Sequence, residues 1–348
     1  MQHFWFEALR MYVRFGLLFH FRKIVIHGRE NIPKAPVIFA ANHQNALLDA
    51  LLIVCFNPTR TNFVARADIF KKPIIRWLLS TFNMIPIYRI RDGWQSLGEN
   101  EKTFDACDKV FSRGESLVIF PEGNHGSARR LRPLSKGFAR IAFHHLEKDF
   151  SNPVYVVPVG INYTQPMAFR SSVSVYFGEP LDARAYFQMG SLAGAQQLKR
   201  DLDVRLKKLI THVDDTNRYD EIVEKLEMGG VNYLDPVETN ARIAQIESGA
   251  ELVVKGIPKG TAAPHWMQQV SRILNFPPLA IWQKVRQEIK DPIFAPTVRF
   301  VFGIFAFPIY YLLVSLLLLI VVGWPVAAIW LFLSAFSTWV LAARHPLA

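Results

Sequence analysis

From about residue 25 to residue 177, short apolar runs rich in β-branched side chains alternate with longer stretches of helical spacing. Residues 37–41, 61–65, 85–88, 116–120, 154–159 and 173–177 read as strands, and 47–56, 74–79, 103–111 and 137–145 as helical segments. This alternation predicts a layered α/β domain. Several runs, such as Ser116-Leu-Val-Ile-Phe120, are apolar throughout, as strands covered on both faces are. Upstream, Phe4, Trp5, Ala8, Leu9, Tyr12, Phe15, Leu18 and Phe19 fall on one helical stripe, with Glu7, Arg10 and Arg14 on another. The spacing predicts an amphipathic helix, suited either to the bilayer interface or to packing on the domain. Its charges interrupt any signal-peptide core, so it is not read as a cleaved leader. Residues 191–292 are mostly helical and charged, broken at Gly229-Gly230 and at Gly256-Ile-Pro-Lys-Gly260, and carry no motif.

Between Arg299 and Arg344 there is no Asp, Glu, Lys or Arg, and 310–322 and 327–340 are strongly apolar. Roughly 20 apolar residues cross a bilayer, so the stretch predicts a C-terminal transmembrane hairpin broken at Gly323-Trp324-Pro325. A buried core hairpin is the alternative. The expected division is an interfacial helix over 1–22, an α/β domain over 23–190, a helical extension over 191–298 and the hairpin over 299–343.

Composition narrows the partners. Lys plus Arg number 40 against 29 Asp plus Glu, a net charge of +11, which excludes an acidic disordered chain. No basic run or nucleic-acid module accompanies that charge, so anionic membrane lipid is the expected partner and nucleic acid is not. The two cysteines, Cys55 and Cys107, form no disulfide framework or zinc spacing, which fits a reducing compartment and no metal. Basic residues before the first span and Arg344 after the second put the main domain on the cytoplasmic side.

Four patterns close short apolar runs, where an α/β sheet presents its functional loops. In Asn42-His43-Gln44-Asn45-Ala46-Leu47-Leu48-Asp49, an imidazole in a turn precedes a carboxylate on the next helix. The carboxylate can hold the ring's tautomer while the other nitrogen takes a proton; the plain alternative is that Asn42 or Asn45 caps the helix and Asp49 is exposed. The run 84–93 ends in Arg89 and Arg91, whose forks suit a phosphate but could equally be solvated. Phe120-Pro121-Glu122-Gly123 runs into a loop followed by Arg129, Arg130, Arg132 and Lys136, where glycine lets backbone approach an anion. His125 there reads as a loop residue. Val157-Pro158-Val159 is an apolar strand whose proline predicts an edge or sharply bounded position.

In this order, over residues 42–163, the four blocks resemble the glycerolipid acyltransferase family of bacterial lysophosphatidate and glycerol-3-phosphate acyltransferases. Asn42, His43 and Asp49 match its first block, Arg89 its second, Phe120 to Gly123 its third and Val157 to Val159 its fourth, while Leu134-Ser-Lys136-Gly137 resembles a further family segment. One departure is that five residues, not the family's four, separate His43 from Asp49. The branch similar to fungal glycerol-3-phosphate and dihydroxyacetone-phosphate acyltransferases has that longer spacing, and it also looks similar near Asp291-Pro-Ile-Phe-Ala-Pro-Thr-Val-Arg299 and the hairpin.

The resemblance implies direct acyl transfer from acyl-CoA or acyl carrier protein to a hydroxyl of glycerol 3-phosphate or lysophosphatidate, with no cofactor beyond the thioester cosubstrate. It implies His43 as general base and Asp49 as its orienting partner. Asn42, Arg89, Arg91, Gly123 and Lys136 would bind substrate, and Glu122 would bond glycerol hydroxyls or orient an arginine. The absence of a G-x-S-x-G elbow argues against a covalent serine route. Alternatives are acylation of a lyso-aminolipid or another lipid hydroxyl, and a non-catalytic lipid-binding protein of the same fold.

Overall fold

The computed structural model describes residues 2–67, 84–87, 96–249 and 264–343. Its centre is a mixed eight-stranded sheet. The strands are β1 (Lys23–His27), β2 (Val37–Ala41), β3 (Thr61–Arg66), β4 (Met84–Ile87), β5 (Ser116–Ile119), β6 (Tyr155–Tyr163), β7 (Ser172–Phe177) and β8 (Leu181–Asp182). They lie in the order β1-β7-β6-β2-β5-β3-β4, with β8 also on β6. The neighbours β6, β2, β5, β3 and β4 run parallel, and β6 meets β7 and β8 antiparallel.

Because successive side chains alternate faces, the apolar strands feed two cores. Val37, Phe39, Ala41, Val118, Val157 and Val159 pack on one side under α1 (Gln2–His20) and α2 (Ala46–Phe56). Ile38, Ala40, Leu117, Ile119 and Val156 face α3 (Ser96–Ser112), α4 (Gly137–Lys148) and α6 (Ser191–Leu209), while the short α5 (Ala183–Phe187) precedes α6. Helix α6 therefore belongs to the α/β core, burying Leu198, Leu202 and Leu206 completely. The sheet meets it closely: a Cβ on Gly160 would lie 2.2 Å from Leu209 O. A small separate core, with Ile222, Leu226, Ile243 and Ile246, joins α7 (Tyr219–Met228) to α8 (Pro236–Glu247).

Two open readings are resolved. Pro158 lies in an interior strand, not at an edge. Its lost N–H is harmless because β6 pairs with β8 through Tyr155 and Val156, with β7 only from Val159 onward, and Pro158 falls in the gap between them. The second concerns α1, which has two apolar stripes. Val13 and Leu17 are buried in the core, whereas Phe4, Trp5, Met11 and Phe15 are 68–80% exposed. It packs on the domain and still presents an aromatic face.

The helices α9 (His265–Leu274) and α10 (Phe276–Gln287) lead to α11 (Ala295–Val321) and α12 (Trp324–Ala343). The last two fold back on each other around Gly323, at φ +102°, where the chain needs a left-handed turn. Tyr311 donates to Ser334 O and lies 2.9 Å from Thr338 Oγ1, which fixes an antiparallel pair. Two spans were expected here. Among the described residues one helix, Pro292–Val321, is long and apolar enough to cross a membrane, and Trp324–Trp339 is a shorter apolar helix. The 30-residue helix is about 45 Å long, and none of its apolar window is buried.

Candidate active site

Three parallel neighbours, β6, β2 and β5, bring their carboxyl ends to one rim of the sheet. The turns after β2 and β5 and the last residue of β6 therefore meet, although they are far apart in sequence. His43 leaves β2 in a turn, and its Nδ1 lies 2.8 Å from Asp49 Oδ2. The side chain of His43 is 14% exposed and that of Asp49 is fully buried. The carboxylate also accepts from Gln44 N at 2.8 Å, Asn45 N at 2.7 Å and Tyr163 Oη at 2.6 Å. Four donors compensate a buried charge that would otherwise be costly. They also hold the hydrogen on Nδ1 of His43, and Nε2 has no hydrogen bond among the described residues. Burial and the neighbouring Asp49 charge push the Tyr163 phenol well above its ordinary value, so it stays a donor.

The five-residue spacing is absorbed before the helix. Ala46, the first residue of α2, takes φ +41°, a left-handed setting that costs a non-glycine residue about 1–2 kcal/mol. That turn lets Asp49 reach back to two amides that the helix start leaves unpartnered. Asp49 thus orients the imidazole and fastens its own helix.

The turn after β5 closes over the ring. Phe120 stacks on His43 with centroids 3.9 Å apart, and His125 meets it edge-on at 5.5 Å. Burial, with the nearby His43, lowers the pKa of His125, which keeps it neutral beside the dyad. The Glu122 side chain is 2% exposed, and its oxygens accept from His43 N at 3.0 Å, Arg132 N at 2.9 Å and Arg132 Nη2 at 2.5 Å. Arg132 Nη2 also donates to His43 O at 3.0 Å. Of the two roles expected for Glu122, the contacts are those of orienting an arginine. Arg132 was read from the sequence only as loop charge, yet it ties the first block to the third.

Asn42 is buried, and its amide is engaged with β6: Nδ2 donates to Ile161 O at 3.0 Å and Oδ1 accepts from Ile161 N at 2.8 Å. Gly123, at φ +74°, gives its N–H to Phe120 O at 3.0 Å, completing the turn. Lys136 precedes α4 and reaches Gln196 Oε1 at 3.5 Å. Arg89 and Arg91 lie outside the described residues. Two contributors went unnoticed in the sequence. Tyr163 is one, visible there only as the polar end of an apolar strand. The other is Phe294, whose ring meets His125 at 4.8 Å and so brings the root of α11 to the dyad.

Residues 23–162 match the sequence family described as Acyltransferase, the interval that holds the dyad, the Glu122 turn and nearly all of β6. The chain carries an acyltransferase domain. Over 127 residues it is 29% identical to a chloroplastic 1-acyl-sn-glycerol-3-phosphate acyltransferase of Brassica napus, covering 36% of this chain and 35% of that protein. It is 41% identical over 66 residues to glycerol-3-phosphate O-acyltransferase 1 of Saccharomyces cerevisiae, covering 19% of this chain and 9% of the yeast protein. The matched part thus spans about a third or less of these relatives. The crystal structure of the 1-acyl-sn-glycerophosphate acyltransferase PlsC from Thermotoga maritima aligns with a TM-score of 0.39 at 22% identity, covering 57% of this chain and 81% of that one.

Proposed function

We propose that the protein is a membrane-bound O-acyltransferase of glycerolipid synthesis. It moves a fatty acyl group from acyl-CoA or acyl carrier protein to a hydroxyl of glycerol 3-phosphate or lysophosphatidate. The observation that carries this reading is the His43–Asp49 pair at 2.8 Å, with Asp49 sealed from water and His43 reaching the surface. In the proposed reaction, His43 Nε2 takes the hydroxyl proton as the alkoxide oxygen bonds to the thioester carbonyl carbon. Asp49 stabilises the imidazolium. The C–S bond then breaks, and the imidazolium returns its proton to the leaving thiolate. No acyl-enzyme forms. Glu122, closed by Arg132 and the His43 amide, holds the base in place. Arg89, Arg91 and Lys136 would meet the acceptor phosphate.

Membrane placement is part of the proposal. In addition to the helix Pro292–Val321, none of whose apolar window is buried, Trp5, Phe15, Trp266, Ile273 and Phe276 stand 65–74% exposed on α1, α9 and α10. Large apolar surfaces of this kind mark membrane contact. In this reading the Phe294–His125 contact keeps the dyad close to the interface where a lipid product is released, and the basic residues flanking the apolar stretch put the domain on the cytoplasmic side.

The test is an acceptor panel. Purified full-length protein in detergent micelles is given one labelled acyl-CoA, or the corresponding acyl carrier protein, with glycerol 3-phosphate, lysophosphatidate and a lyso-aminolipid in turn. Transfer to a glycerol phosphate is the expected result. Transfer only to a lyso-aminolipid would replace the acceptor, and no acyl consumption with any acceptor would discard the enzyme reading.

A further inference from the structure

A second polar cluster lies at the seam where α1 ends, α11 begins and the β6–β7 turn passes between them. His20 is 4% exposed and packs edge-on to Phe300 at 5.6 Å and Phe169 at 5.7 Å. The backbone N–H of Arg170, in the β6–β7 turn, donates to His20 O at 3.1 Å. Its Nη1 donates to Phe19 O at 2.7 Å and Phe21 O at 2.9 Å. Both Arg170 and Arg299 are near enough for their charges to oppose protonation of His20.

The cluster contains hydrogen-bonding atoms with no protein partner. His20 Nε2, Arg170 Nε, Thr297 Oγ1 and Arg299 Nη1 are all buried and unpartnered. Arg299 forms no ion pair or hydrogen bond among the described residues. Unmet buried polar atoms are rare in folded proteins, and Arg299, half-buried with its Nη1 sealed, has no anion beside it among the described residues. Arg170 already has a structural task, closing the carbonyl end of α1; Arg299 has none that the fold supplies. Arg299 lies near the head of the apolar helix Pro292–Val321, which in the proposed membrane placement is the level of lipid phosphates. The site also adjoins the dyad, because Asn45 Nδ2, in the His43 turn, donates to Pro166 O at 2.7 Å at the start of the turn that carries Arg170.

We infer that this seam binds a phosphate group, with Arg299 as its main anchor and His20 and Arg170 as flanking partners. A planar guanidinium held without a carboxylate suits a phosphate's paired oxygens. The phosphate has one of two sources. It belongs either to the acyl acceptor, which rests on the proposed function and moves the phosphate contact from Arg89, Arg91 and Lys136 to Arg299, or to a phospholipid headgroup of the bilayer, which does not rest on it.

The test measures binding, not turnover. Full-length protein in neutral detergent is titrated with glycerol 3-phosphate and, separately, with short-chain phosphatidic acid, following tryptophan fluorescence and thermal unfolding. At least one ligand is expected to bind the wild type, with Kd weakened roughly tenfold to a hundredfold by Arg299→Gln, the scale of a charged hydrogen bond, and less by Arg299→Lys. Response to glycerol 3-phosphate assigns the acceptor; response to phosphatidic acid alone assigns the headgroup. Equal affinities in wild type and Arg299→Gln, or no binding to the wild type, overturn the site. Should Arg299→Gln not fold, His20→Gln is judged by the same criterion. His43→Ala is expected to keep the binding. An Arg299-dependent Kd in a protein that transfers no acyl group would therefore discard the reaction and retain the site.

Discussion

Tyr163 and Asp49 meet at 2.6 Å across 114 residues of sequence. The phenol occupies the carboxylate oxygen that His43 does not use, so the acid is held from both sides and cannot rotate away from the imidazole. Tyr163→Phe leaves that oxygen short of a donor in a dry site. It should lower stability by about 1–3 kcal/mol and reduce kcat several-fold with little change in acceptor KM. Thermal unfolding and steady-state kinetics on one preparation check both; an unchanged kcat would reduce Tyr163 to a structural role.

Glu122 and Arg132 form the brace beneath the ring, and the Glu122 side chain is 2% exposed. Glu122→Ala leaves the His43 N–H without its acceptor and takes the carboxylate from Arg132, whose partly exposed guanidinium keeps His43 O and Asn124 as partners. A buried donor left unmet costs about 1–3 kcal/mol, so a fall in Tm and a loss of kcat are expected. A selective rise in acceptor KM at unchanged Tm would instead place Glu122 on the substrate.

Stability should fall in acid through His20. Burial, aided by Arg299 and Arg170, pushes His20 down to about 3 from 6.5. Between those values the unfolded chain holds the extra proton and the folded one does not, so stability declines as pH drops below about 6.5. At pH 5 the loss is about 2 kcal/mol. Unfolding midpoints at pH 7.5 and pH 5, without phosphate, should show it, and His20→Gln should reduce the difference. An equal difference in that variant would assign the acid sensitivity to other groups.

Gly160→Ala tests the seating of α6. The new Cβ would lie 2.2 Å from Leu209 O and 2.6 Å from Leu209 Cβ, both on rigid elements, so overpacking should cost about 1–3 kcal/mol or more. Gly123→Ala meets nothing within 4 Å and carries only the strain of φ +74°, about 1–2 kcal/mol. Tm values for the two variants should fall in that order.

Much of the catalytic rim is legible in the sequence because it follows local rules. Apolar runs announced β2, β5 and β6; the first and third blocks sit where β2 and β5 end, and the fourth lies within β6. The longer His43–Asp49 spacing was legible as an irregularity, but its resolution through a left-handed Ala46 was not, since alanine carries no turn signal. Pairings across the sheet were equally hidden: Tyr163 with Asp49, and the Asn42 amide with Ile161, depend on which strands become neighbours. Pro158 misled because its cost depends on whether a partner faces its nitrogen, and the gap between β7 and β8 is a tertiary feature. Arg299 looked like the edge of an apolar segment; only the packing of α11 on α1 shows that it is partly buried.

The central claim is that His43 is the base. The most direct test compares acyl transfer by wild type and His43→Ala at saturating acyl-CoA and acceptor, with folding checked by thermal unfolding. A kcat lower by about 10²- to 10⁴-fold is expected in a variant that is still folded and membrane-bound. A folded variant with kcat near the wild-type value would contradict it.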